Sequence, residues 1–264
     1  MSYYRDGTRY LLVDVSGGTY QINDDTFRRM EDESTIEVDI IERSFKAGAD
    51  FPGIQRDESK EISYQYQINT SEQAYRLYEN QLRQKLRKVR WIRDTINNIE
   101  TEILFKESAI AYDDGGFNLG SVNNISFIQL KPYWRDVEPT ILQESGVSSQ
   151  AFIIENNGYV ETPTIITIQA LEPCPKFQII NTCEDIELDG QGIVVEDIQF
   201  GTVGLDTYII DNGAGAVELN QADRRNKVRL GTGPFNLGVG RNRLDFTLQG
   251  QCAITIEWRR RYYL

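Results

Sequence analysis

Any catalysis by this chain would have to use carboxylates, hydroxyls, thiols or amines, because its 264 residues include no histidine. That excludes Ser-His-Asp triads, Cys-His pairs and zinc sites that use His. The 40 acidic residues make glycosidase-like carboxylate pairs inevitable, so composition singles none of them out. Cys174, Cys183 and Cys252 lack C-x-x-C spacing, and three thiols cannot all pair within one chain. Buried free thiols are expected, with one Cys174–Cys183 disulfide as the alternative. Asp113 and Asp114 read as turn residues of "DDGGFNLGSVNN" rather than a cation site. The Gly-rich "GTGPFNLGVG" has no helix after it to hold a phosphate, so it reads as a structural turn. There is no nucleophile elbow, Walker A loop or dinucleotide fingerprint. The sequence therefore argues for no catalysis and calls for no cofactor and no metal.

The elements that carry these residues belong to an acidic chain of net charge −12, with 40 acidic against 28 basic residues. Such a field disfavours nucleic acid and anionic membrane as partners. The opening "MSYYRDGTRYLLVDVSGG" has no signal-peptide core, and no apolar run reaches membrane-span length. A soluble product, made and folded inside the cell, is expected.

The first half reads mainly as strands. "RYLLVDV", "TYQI", "TIEVDIIERSF" and "EISYQYQIN" are candidates, the last two with period-two alternation. Thr70 and Gln73 have capping-box spacing. Ala74, Leu77, Tyr78, Leu82, Leu86 and Val89 then recur at helical spacing, which predicts one amphipathic helix over 71–89. Its Leu77, Tyr78, Leu82 and Leu86 face is expected to pack on the N-terminal sheet. Its basic last turn, Lys85 to Arg90, suits a helix C-terminus and reads as a solvated face rather than a nucleic-acid grip. "TEILFKESAIAY" and "ISFIQL" read as a hairpin. The boundary between an N-terminal domain (1–142) and a C-terminal domain (150–264) is placed in the small, polar "ILQESGVSSQ".

The second half reads as all β, with turn signals spaced as in a β-sandwich. "LDFTLQGQCAITIEW" reads as a hairpin turning at "QGQ", with Ile254, Ile256 and Trp258 on one buried face. Arg259, Arg260 and Arg261 follow on a strand that would splay them apart, a poor groove for a phosphate backbone. They are expected to pair with carboxylates of this chain or of another subunit.

The run "TPTIITIQAL", "FQIIN", "IELDGQG", "DTYIIDNGAGAVEL", "FNLGVGRNRLDF", "AITIEWRRRYYL" resembles the C-terminal domain of phage distal tail proteins. The residues that carry the likeness are Leu237, Gly240, Asn242, Phe246, Ile254, Ile256, Trp258 and Arg259. Upstream, Pro52-Gly53, "EISYQYQIN", the helix and "KPYWRD" with Trp134 resemble the first domain. The resemblance implies a mainly β, two-domain protein: a sandwich-like ring domain with one helix, then a galectin-like sandwich. It implies a non-enzymatic homo-hexameric ring at the tip of a long-tailed phage, assembled in the bacterial host cytoplasm. The ring's partners would be the tail tube protein, the tail-tip hub or tail-associated lysin, and receptor-binding proteins. DNA would pass through its channel unbound, and no membrane would be engaged. The competing expectations are a carbohydrate-binding sandwich stacking sugars on Tyr133, Trp134, Tyr262 and Tyr263, and, more distantly, a glycosidase.

Overall fold

The computed structural model describes residues 10–21, 27–29, 61–67, 80–81, 83–110, 122–183, 190–202 and 204–263. It is mainly β and divides into two units, Met1–Trp134 and Arg135–Leu264.

In the first unit the strands are β1 (Tyr10–Asp14), β2 (Thr19–Gln21), β3 (Phe27–Arg29), β4 (Glu61–Gln67), β5 (Val89–Asp94), β6 (Ile99–Ile110) and β7 (Val122–Gln129). They lie side by side in the order β2-β1-β5-β6-β7-β4-β3. The β1–β2 turn closes because the Asp14 carboxylate accepts the amides of Ser16 and Gly18, each at 2.8 Å. Leu12, Val89, Ile92, Ile99, Ile103, Ile125 and Phe127 are buried. Phe105 meets Phe127 edge-on across β6 and β7, centroids 6.0 Å apart.

One expectation changes here. Residues 80–81 and 83–86 are helical, but the helix does not reach Val89. Val89 instead opens β5 and pairs with Asp14. The amide of Lys88 bonds back to Lys85 at 3.0 Å, three residues away, a tightening that ends the helical turn. Leu86 is buried as expected. Leu77, Tyr78 and Leu82 lie outside the described residues, as do "TIEVDIIERSF" and Asp113–Asp114.

The strand β8 (Trp134–Asp136) stands at the division. In the second unit follow β9 (Thr140–Asn156), β10 (Thr162–Ala170), β11 (Lys176–Cys183), β12 (Gln191–Glu196), β13 (Thr207–Asp211), β14 (Ala216–Leu219), β15 (Ala222–Asp223), β16 (Asn236–Leu237), β17 (Gly240–Trp258) and β18 (Arg261–Tyr262). A single 3-10 turn, Arg225–Lys227, interrupts them.

The predicted hairpin is one uninterrupted strand: β17 runs for 19 residues through "QGQ". On one side β11 pairs with Asn242–Leu248 and β10 with Cys252–Trp258, in series. On the other side β9 pairs along both halves, its register shifting between Thr247 and Ile254. Such bulges bend strands and let them pass from one sheet to another. Between the halves, the amides of Leu171 and Glu172 donate to the Gln251 carbonyl at 2.9 and 3.1 Å, which keeps the chain extended. Gly250 is required there: a Cβ would sit 2.4 Å from the Pro173 carbonyl oxygen. Residues 141–150, read from their polarity as a domain boundary, lie inside β9, itself 17 residues long.

One apolar cluster joins the two halves. Ile166, Ile168, Ile254 and Ile256 come from the half of the nine-stranded sheet around β10, and Phe152, Ile154, Phe177, Ile179, Leu244 and Phe246 from the half around β11. Inward side chains of both halves thus share one core, as in a β-sandwich.

Candidate functional site

Buried asparagines hold the loop that leads into β17. Asn242 is fully buried; its Oδ1 accepts the Gly238 amide at 2.9 Å, and its Nδ2 donates to the carbonyls of Gly238 (2.8 Å) and Gly240 (3.0 Å). Asn156 Nδ2 donates to the carbonyls of Val160 (3.1 Å) and Gly238 (3.2 Å). Asn181 donates to the Asn236 carbonyl at 2.9 Å, and Asn212 accepts the Phe235 amide at 3.0 Å. These side chains replace water for a loop whose backbone groups would otherwise be buried unpaired. Gly240 has φ of 95°, a left-handed conformation that a side chain would strain. Gly240 and Asn242 therefore act as one unit. Asn156, Asn181 and Asn212 escaped the sequence reading. Their only signal is an amide side chain at an inward position of an otherwise apolar row.

The three arginines are used within the unit. Asp136 Oδ2 accepts Arg260 Nε at 2.8 Å and the Arg260 amide at 3.2 Å, while Oδ1 accepts the Tyr262 hydroxyl at 3.1 Å. The Arg259 guanidinium donates to the carbonyls of Asp136 and Val137. That of Arg261 donates to the Glu161 carbonyl at 3.2 Å. The hydrogen bond to Asp136 raises the Arg260 pKa further. Burial, then the Asp136 charge, raises that of Tyr262. The chain end is thus clamped to the start of its own unit by a carboxylate that is 9% exposed.

Phe246 packs edge-on against Phe152, centroids 5.2 Å apart, and Trp258 is buried opposite Thr164 and Thr140. Trp134 is 4% exposed, which removes it as a platform for stacking a sugar. All three cysteines are free and buried. The alternative Cys174–Cys183 pairing fails because β11 separates the two by about 30 Å of extended chain. Cys174 instead neighbours Cys252, and that hydrogen bond, with burial, pushes the Cys252 thiol up. The buried carboxylate of Asp197 is likewise structural: it accepts the Tyr208 hydroxyl at 2.7 Å and lies 3.7 Å from Arg224 Nε. Among the described residues no group of three or more Cys, Asp or Glu could hold a metal ion, and no helix is long and apolar enough to cross a membrane.

The arrangement orders loops and seals a core. Residues 157–262 match the family of siphovirus-type tail components, over their C-terminal domain. The structure of the SPP1 Dit protein, described as a paradigm of the hub adsorption apparatus in phages infecting Gram-positive bacteria, superposes with a TM-score of 0.65. It does so at 12% identity, over 96% of this chain and 98% of that one. The phage P2 baseplate in its activated conformation with Ca also matches, at 10% identity and a TM-score of 0.45, over 96% of this chain and 97% of that one. No curated protein sequence matches. The domain match and the shared fold bear out the resemblance to distal tail proteins and support a structural component of a siphophage tail.

Proposed function

We propose that this chain forms a hexameric ring at the phage tail tip. The ring joins the tail tube to the hub or tail-associated lysin, and the chain has no enzymatic activity and no cofactor. The observation that carries the reading is the family match over 157–262 on a chain whose fold corresponds to SPP1 Dit almost end to end. The unit before Trp134 builds the ring. The sandwich lies outside it and offers a place for receptor-binding proteins. Assembly takes place in the host cytoplasm before the tail joins the virion. A net charge of −12 suits a channel that DNA traverses unbound, because like charge repels phosphates. Sedimentation velocity on the purified chain tests this: a closed species of six copies is expected, because head-to-tail contacts that close make rings. A monomer at all concentrations overturns the ring.

A further inference from the structure

Strand β9 is the edge of the second unit's sheet. Its pairing is with β17 alone among the described residues, so its outer side presents a row of backbone N–H and C=O groups with no described strand beside it. Edges of this length are normally blunted, because they template pairing with any extended chain. The first half of β9 is blunted: Glu144 stands opposite buried Ile254, a charge on the inward row, and Gly146 has φ of 75° at the register shift. Residues 149–154 carry no such device, and the exposed Glu155 adds a charge only at the end of the stretch. Along it, Phe152 and Ile154 point into the core, while Ala151 and Ile153 line the outer face, Ile153 at 43% exposure. Their partners on β17, Leu244 and Asn242 inward and Asp245 and Arg243 outward, are in unbroken register, so this stretch is regular and preorganised.

We propose that residues 149–155 accept an extended segment of a different polypeptide, which adds to the sheet as one more strand. This goes beyond the tail-tip reading but rests on it for where the partner is met. The chemistry of the edge defines the occupant: seven residues, about 23 Å, of unpaired backbone fit only another extended backbone. Ile153 calls for a β-branched or aromatic side chain beside it on the outer face. The only charged residues of β9 are Glu144, five residues before the open stretch, and Glu155, at its end, so a segment bearing Lys or Arg at the end that meets Glu155 is complementary. A second copy of this chain fits less well. Pairing of an edge with its own copy is two-fold, whereas the proposed ring needs head-to-tail contacts.

Amide hydrogen exchange of the full chain, compared between the purified protein and intact purified tails, tests the proposal. Outward amides of 149–155 are expected to exchange freely in the purified protein and at least tenfold more slowly in tails, with β17 amides protected in both. A paired substitution, Ala151→Glu with Ile153→Glu, leaves the thermal midpoint near wild type and lowers recovery of the partner with the tail. Exchange at 149–155 that stays fast in tails overturns the proposal. So does protection already present in the purified protein, which makes the occupant a second copy. Absence of the chain from tails is a separate result that refutes the tail-component reading and this proposal with it.

Discussion

At the residue scale, burial and partner count decide what each side chain is worth. Trp258 is 8% exposed on the core face of β17, so Trp258→Ala is expected to cost about 3–5 kcal/mol in urea unfolding. Asn242→Ala removes the partner of the Gly238 amide and the side-chain donor to the Gly240 carbonyl, while the Gly238 carbonyl keeps Asn156 Nδ2; the cost is about 1–3 kcal/mol for each group left buried and unpaired. The arginines divide by what they touch. Arg260 serves a carboxylate that is nearly buried, so Arg260→Gln is expected to cost about 1–3 kcal/mol. Arg243 pairs with Asp245 in the open, and Arg243→Gln should stay within about 0–1 kcal/mol. Equal costs for the two variants would show that the clamp at Asp136 contributes nothing. The Asp14 turn adds a pH dependence. The Ser16 hydroxyl, then the Gly18 and Ser16 amides, hold its carboxyl below the usual range. A depressed folded pKa gives stability that is present above the unfolded value of about 3.9 and is lost as pH falls through the folded one. Asp14→Asn should therefore lower the thermal midpoint at pH 7 and make a shrinking difference towards pH 3.

At the element scale, β17 is held straight by backbone that the sequence does not announce. "QGQ" looks like a turn because Gly between polar residues usually is one. Here the glycine is small so that the link between β10 and β11 can cross it. Gly250→Ala should cost about 1–3 kcal/mol through overpacking against Pro173, measured by thermal unfolding. The alternation of Leu244, Phe246, Ile254, Ile256 and Trp258 was legible, and so were β4, β6, β7 and the sandwich strands, because period two is a one-dimensional signal. Strand β9 was hidden because an edge with one exposed face can be built from serine, glycine and glutamine without an apolar stripe. The helix end was misplaced because Val89 continues the helical spacing by coincidence while serving a strand. The asparagine cradle is invisible without the third dimension: its members lie as far apart in sequence as Asn156 and Asn242.

At the scale of the whole molecule, the second unit has its own core and its own clamp between the two ends of the chain segment. A fragment starting at Arg135 keeps Asp136 and all of β9, and is expected to fold and remain monomeric. A fragment starting at Gln150 loses the β9 residues that cover Cys252–Trp258, and is expected to melt lower or aggregate. Circular dichroism melts of the two fragments decide this: equal midpoints would mean that 135–149, with the Asp136 clamp and the first half of β9, contribute nothing to the sandwich.

The 19-residue β17 and its long neighbour β9 run through both halves of the sandwich's single nine-stranded sheet. Neither layer can therefore melt and leave the other standing, because each would have to tear strands that the other still holds. The unit should behave as a single thermodynamic switch, with calorimetric and van't Hoff enthalpies that agree. Mechanically it is a woven strap rather than two stacked plates. A pull along the axis of β17 is shared by hydrogen bonds to β9 on one flank and to β10 and β11 on the other, all loaded in shear.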